Sequence, residues 1–315
     1  MHASPRAKVN LTLAVAPRGP DGYHPLASVF LRVGLADELI VAPSAGPGDG
    51  ALTVTGLPGC PVAGNLVLRA FLGVRRALGH DLPPLVAHLE KRIPLGGGLG
   101  GGSSDGAAAI DSALAVWGAG LAPAALAQLE LELGADVPFF ARGGPVALIA
   151  GRGEQVERLL PPSGDLGVLL VTPPIALSTA EVFARFDDLG ASGASGASGA
   201  SGTLSDDLAQ ALRGGLSGDE LVAWAARLRD ANDLWPAAAS LAPALATMRQ
   251  SLEASTGQPW LLSGSGSTLF ALYPSAAAAA ESGRLLELSA PSEAIEGAII
   301  NAVDLIGPDP IWRFP

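Results

Sequence analysis

Residues 94–105 read Pro-Leu-Gly-Gly-Gly-Leu-Gly-Gly-Gly-Ser-Ser-Asp, and an alanine-rich run from Gly106 to Trp117 follows directly. Six glycines and two serines stand within eleven residues after Pro94. Glycine lets backbone N–H groups approach an anion with no Cβ in the way. The alanine run reads as a helix, and a helix start adds unpaired N–H groups and a positive dipole end. Together these residues describe a cradle for phosphate, so nucleotide chemistry is the first hypothesis.

Two familiar phosphate loops do not fit. A Walker-type loop needs G-x-x-x-x-G-K-[ST]. Gly96 and Gly101 have that spacing, but Gly102 stands where the lysine belongs. A dinucleotide fingerprint needs G-x-G-x-x-G with an acidic residue about 20 positions on. Gly96, Gly98 and Gly101 match the glycines, yet residues 114–124 hold no carboxylate. A plain glycine linker would not run at once into Ser-Ser-Asp and a helix.

The residues around the loop read as strands and helices. Residues 7–15 alternate polar and apolar and predict a strand with one buried face. Lys8, Asn10 and Thr12 share its polar face, which is either solvated or lines a cleft. Strands are predicted over 23–33, 39–42, 52–55 and 85–89, a helix over 66–78 capped by Asn65, and helices over 104–117 and 123–133. Gly134-Ala-Asp-Val-Pro-Phe139 reads as a turn, and residues 146–154 as a hairpin. A second half opens with a buried strand at 167–171. Helices are expected at 205–213, 218–229, 240–256 and 275–288, and strands at 260–263, 268–273 and 297–303. This order predicts a ferredoxin-like α/β sandwich. Residues 191–202 are four Ala-Ser-Gly triplets, low-complexity sequence expected to form a mobile surface insertion. A boundary between two domains is placed at 157/158.

The chain has 315 residues, 49% hydrophobic and 16% charged, which fits two packed domains. No uninterrupted apolar span of bilayer length occurs, and the start lacks the apolar core of a signal peptide, so no membrane partner and cytoplasmic residence are expected. A net charge of −11 argues against a nucleic-acid partner, although a local cradle can still take a nucleotide. The single cysteine, Cys60, and the scattered histidines predict no disulfide and no dedicated metal site. Oligomeric state is left at monomer or homodimer.

Three motifs in order, Ala7-Lys8-Val9-Asn10-Leu11, the Pro94–Ser104 stretch and Leu262-Ser-Gly-Ser-Gly-Ser267, resemble the three signatures of the GHMP kinases. Asp21-Gly22-Tyr23-His24, Gly134-Ala-Asp136-Val-Pro138 and Asn232-Asp233-Leu234 resemble the branch acting on a cytidine diphosphate-linked methylerythritol. The Ala-Ser-Gly insertion and Gly106, where alanine is usual, depart from the pattern. The resemblance implies an α+β GHMP kinase fold: an N-terminal ribosomal-protein-S5-like domain and a C-terminal ferredoxin-like sandwich, with the site in the cleft. It implies ATP as phosphoryl donor with Mg²⁺, and that small cytidyl alcohol as acceptor. A GHMP kinase for another alcohol, of the homoserine or mevalonate type, is the alternative.

The resemblance also assigns roles. Asp136 would accept the proton of the attacking hydroxyl; read alone it is a turn-forming Asp. Lys8 would lie beside it and stabilise the attacking oxygen, and Asn10 would bind the acceptor's hydroxyls. Tyr23 and Phe183 would stack on the cytosine, with His24 on its polar edge and Thr179 nearby. Gly264, Ser265 and Gly266 would wall the substrate phosphates. Pro94, Gly96, Gly97, Gly98, Gly100, Gly101 and Gly102 would cradle ATP, with Ser103 and Ser104 offering hydroxyls to phosphate or Mg²⁺. Asn65 and Leu66 match the adenine pocket. Asp136 and Asp105 are the only carboxylates that stand out near Mg²⁺, and Asn232 and Asp233 are expected to brace the cleft.

Overall fold

The computed structural model of the chain describes residues 1–44, 51–79, 82–190, 200–289 and 296–305. Three sheets organise it. The first runs β1 (His2–Ala3), β5 (Glu38–Pro43), β7 (Leu85–Lys91) and β6 (Ala51–Gly56), with β6 parallel to β7. The second runs β2 (Arg6–Asn10), β4 (Leu26–Ala36), β8 (Val146–Gly151) and β9 (Gln155–Arg158), and β3 (Ala14–Val15) pairs with β4. The third is antiparallel throughout, in the order β11 (Leu261–Leu262), β12 (Leu269–Tyr273), β10 (Gly167–Thr172) and β13 (Ile299–Asp304). Counted within its half, that order is 2-3-1-4, the ferredoxin-like arrangement expected.

Alternation decides what each sheet face covers. Phe30, Ala147 and Ile149 face a core built with α1 (Leu66–Leu78), α2 (Gly101–Trp117), α3 (Pro123–Leu133) and α4 (Val137–Arg142). Val29, Leu31 and Val146, on the other face, share a core with Val168, Leu170 and Phe270 of the third sheet and with α6 (Ala200–Arg213) and α7 (Gly218–Leu228). The third sheet's other face, Leu169, Val171 and Leu269, packs with α5 (Thr179–Gly190), α8 (Trp235–Leu241), α9 (Pro243–Thr256) and α10 (Ala276–Ser289). Leu13 and Val15 of the first half join that last core, so two apolar clusters run between the halves.

Several boundaries differ from the expectation, each for a local reason. The strand of residues 7–15 is interrupted after Asn10, because Leu13 N–H leaves the sheet to donate to Ala231 O (2.7 Å). Both of its faces are buried, not one. Its partner starts at Leu26, so Tyr23 and His24 lie in the preceding loop. Helix α2 starts at Gly101, three residues early, using the last glycines of the loop as its first turn. The expected helix over 240–256 is two helices, since Pro243 has no N–H for the earlier one. Helix α5 was not anticipated. Of the Ala-Ser-Gly insertion, 191–199 lie outside the described residues. Residues 200–202 are the first turn of α6 and not a surface linker, with Ser201 buried. Among the described residues no helix is long and apolar enough to cross a membrane.

Candidate active site

The glycine loop is fixed at both ends. Asp37 Oδ1 accepts the N–H groups of Arg92 and Ile93 as the chain leaves β7. Gly96, Gly98 and Gly100 then take positive φ (68°, 74° and 69°), open to glycine at little cost. Gly98 has a second constraint, since a Cβ there would meet Ser263 O at 2.0 Å. The loop is pressed that closely on the second glycine-rich turn. Thr268 N–H donates to Gly97 O (3.2 Å) and Ser263 Oγ to Gly98 O (2.9 Å). Gly100 caps α2 in the left-handed region. The first-turn N–H groups of a helix have no intrahelical acceptor, and Gly101, Gly102 and Ser103 of that turn line a cavity.

That cavity, about 410 Å³, is lined by residues 94–103, Lys8, Asn10, Leu66, Asp136, Thr179, Phe183, Gly264 and Ser265 among others. Lys8 and Asp136, distant in sequence, meet at Nζ–Oδ2 3.5 Å. Lys8 is 3% exposed. It also donates to Asn10 Oδ1 (2.6 Å) and Gly98 O (2.9 Å), so the three protons of the ammonium face three acceptors. Burial pulls its pKa below the ordinary lysine value, and the Asp136 carboxylate opposes that pull. Asn10 is oriented by its Nδ2 donating to Ser28 Oγ (2.9 Å). Thr12, beyond the end of β2, is spent on Val29 N–H and Ser205 Oγ. Asp136 stands at the N-cap of α4 with no capping bond, so its carboxylate is not used by the helix.

Other expected residues are placed less directly. Asn65 caps α1 (Oδ1 from Val67 N–H, 3.0 Å) and does not line the cavity, whereas its neighbour Leu66 does. Ser104 is buried in α2 behind Ser103. Thr179 and Ser265, both on the cavity wall, bond to each other through their hydroxyls (3.0 Å). His24 packs on Phe183 (ring centroids 5.4 Å), but its ring nitrogens already meet Ala16 O (2.8 Å) and Asp187 Oδ1 (3.1 Å). Tyr23 is half exposed and lies under the Arg152 guanidinium, 3.7 Å from its centroid; neither Tyr23 nor His24 lines the cavity. Gly266 sits behind Ser265, against Leu262 and Leu177. Asn232 does brace the second turn, donating to Leu262 O (2.9 Å) and Gly264 O (2.8 Å), and Asp233 accepts Val15 N–H (2.8 Å).

Sequence reasoning missed a buried ionic cluster under the loop. Lys91 Nζ pairs with Asp37 and with Asp105 Oδ2 (2.7 Å). Asp105 is thus not free for Mg²⁺, since it is 2% exposed and turned to Lys91. The signal was present as a lysine at the end of an apolar strand, but nothing in the sequence links it to residues 37 and 105. Also missed was Asp187 of α5, which holds Arg18 (2.6 Å) and His24 of the facing loop.

Comparison with known proteins gives the family. A family model described as the GHMP kinases N terminal domain matches residues 65–144. The 4-diphosphocytidyl-2-C-methyl-D-erythritol kinase of Pelotomaculum thermopropionicum is 38% identical over 267 residues, 85% of this chain and 87% of the relative. The protein of that name from Streptomyces coelicolor is 36% identical over 301 residues, 93% and 94% of the two chains. Among solved structures, a 4-(cytidine 5'-diphospho)-2C-methyl-D-erythritol kinase superposes with TM-score 0.70 at 31% identity, covering 98% of this chain and 100% of that one. L. major mevalonate kinase shares the fold at TM-score 0.68 and 16% identity. The chain therefore belongs to the GHMP kinase family, among its 4-diphosphocytidyl-2-C-methyl-D-erythritol kinases.

Proposed function

We propose that this protein transfers the γ-phosphoryl group of ATP to the 2-hydroxyl of 4-diphosphocytidyl-2-C-methyl-D-erythritol, giving ADP and the 2-phosphate, a step in isoprenoid precursor synthesis. The observation that carries the proposal is the Lys8–Asp136 pair, 3.5 Å apart on the wall of the cavity that the glycine loop lines. Phosphoryl transfer asks a protein for positioning and charge stabilisation more than for covalent chemistry. The loop N–H groups and the α2 start receive the phosphates. Asp136 takes the hydroxyl proton as the oxygen attacks, and Lys8 stabilises the negative charge on that oxygen. Asn10, held by Ser28 and Lys8, orients the hydroxyl.

Phe183, backed by His24, offers an aromatic face for the cytosine, and a base–aromatic stack adds about 1–3 kcal/mol. The donor set also suits Mg²⁺. Among the described residues no cluster of three acidic, His or Cys side chains exists, so Asp136 and the Ser103 hydroxyl would hold the ion with phosphate and water. When bound it would neutralise charge on the transferring phosphate.

The test is ADP release from ATP with the cytidyl alcohol, homoserine and mevalonate in parallel. Turnover only with the cytidyl alcohol is expected. Turnover with another alcohol instead would reassign the acceptor, and none with any of the three would remove the kinase reading.

A further inference from the structure

Arg32 is a lone cation in the apolar run Val29-Phe-Leu-Arg-Val33 of β4. It is 7% exposed, and the transfer chemistry proposed above does not use it. Register decides what it faces. Lys8 of β2 pairs with Arg32, and Asn10 with Phe30, so these four side chains share one sheet face. Helix α4 lies over that face. Lys8 meets Asp136 at the helix start, Phe30 meets Phe139 (ring centroids 5.1 Å), and Arg32 meets the last turn.

Arg32 Nη2 donates to Phe140 O (3.0 Å) and, at longer range, to Phe139 O (3.4 Å). Its guanidinium carbon stands 5.3 Å from the Phe139 ring centroid and 5.6 Å from that of Phe140, within cation–π range. Its backbone N–H donates to Pro145 O (2.8 Å), just past the helix. A cation at that end suits the carbonyls and the negative dipole end of a helix. Side chain and backbone of one residue thus grip the C-terminal end of α4.

The other end carries Asp136, which makes no capping bond, so the helix does not itself hold the carboxylate. The chain just before it is pinned where Ala135 O approaches Gly153, so closely that a Cβ there would stand at 2.0 Å. Asp136 therefore sits between a pivot at Ala135 and a six-residue helix whose far end is held from β4. We propose that Arg32 is a positioning residue for phosphoryl transfer: by clamping the last turn of α4 it sets where the Asp136 carboxylate stands beside Lys8. Arg32 does not line the cavity, so it acts only through the helix. A base must lie within hydrogen-bond reach of the proton it takes, and a misplacement of about 1 Å can cost about a hundredfold in rate.

The inference rests on Asp136 acting as the base, as proposed above. The experiment is the kinetics of Arg32→Met in the full chain, with rates normalised to the folded fraction from urea unfolding. Met fills much of the same volume without the charge or the donors. With the cytidyl alcohol, kcat should fall about tenfold to a hundredfold, while the calorimetric Kd for ATP stays within about twofold. The same change on the Asp136→Asn background should cost less than about twofold, because the carboxylate it positions is gone. A merely structural role predicts an earlier unfolding midpoint with kcat unchanged per folded molecule, or losses that multiply in the double variant. Either result overturns the inference. If Arg32→Met does not fold, Arg32→Gln keeps an N–H donor and is read in the same way, with an expected loss of about threefold to tenfold. Full turnover in the folded variant removes the inference alone. Wild type with no turnover on any alcohol removes the kinase reading and the inference with it.

Discussion

Lys8 Nζ donates to the carbonyl oxygen of Gly98 at 2.9 Å, which ties the cation at the reacting end to the loop that receives the nucleotide. Lys8 and Asp136 should therefore fail differently when removed. Lys8→Met takes away charge stabilisation, leaves Asn10 Oδ1 without its buried donor, and leaves Gly98 O with Ser263 Oγ as its remaining side-chain donor. Turnover should fall by about 10²–10³ and ATP affinity should weaken with it. Asp136→Asn keeps the loop's contacts. Its turnover should fall by about 10²–10⁴ while ATP binding stays nearly unchanged. Single-turnover rates and calorimetric Kd values on both variants separate the two. Equal loss of ATP affinity in both would contradict the division of labour.

The same pair sets an alkaline limit. Charge stabilisation needs the Lys8 ammonium, whose pKa is lowered by burial and held up by Asp136. Activity should fall as pH rises through that value, at a pH below the 10.5 of a free lysine. Asp136→Asn deletes the supporting anion, so Lys8 should titrate at still lower pH. A ¹⁵N NMR titration of the Lys8 amine in both proteins reads this directly. An unshifted or rising value in the variant would count against it.

Motifs were legible where chemistry and local backbone coincide. The glycine run announced a phosphate cradle because only glycine tolerates the positive φ at residues 96, 98 and 100. Asn65 announced its cap, and the third sheet's order followed from its spacing of elements. Resemblance, and not pattern, singled out Asp136, since one carboxylate in a short turn looks like any other. The Lys91 cluster was invisible because its members come from three separate segments and meet only when β7 and α2 pack. Helix α5 was hidden by a start with several polar residues, and its contact with the 16–25 loop through Asp187 depends on tertiary placement.

Two glycines of one loop should respond unequally to the same change. Gly96 has φ 68° with open space around its missing Cβ, so Gly96→Ala meets only backbone strain, roughly 1–2 kcal/mol. Gly98 has φ 74° and would also drive a Cβ to 2.0 Å from Ser263 O, a backbone atom that cannot rotate away. Gly98→Ala must separate the two glycine turns and break the Ser263 Oγ and Lys8 bonds to Gly98 O. ATP affinity should drop at least about tenfold for Gly98→Ala, and by much less for Gly96→Ala, if loop shape carries binding. Parallel ATP titrations decide it, and equal losses would mean that the turn-to-turn contact is irrelevant to the nucleotide.

Asp111 links stability to pH away from the site. It sits in the middle of α2, with Oδ2 buried and lacking a hydrogen-bond partner among the described residues. Burial, helped by Glu130 of α3, raises its carboxyl to about 7 from 3.8. Between those values the folded protein holds a proton that the unfolded chain has lost, so this group's contribution to stability decreases as pH rises and levels off above about 7. Asp111→Asn removes the buried charge. Its advantage over wild type should be near zero at pH 4 and grow to the order of 2–4 kcal/mol at pH 8. Urea unfolding of both proteins at the two pH values measures the difference. A gap that does not widen with pH would show that Asp111 is hydrated or paired in solution and carries no buried charge.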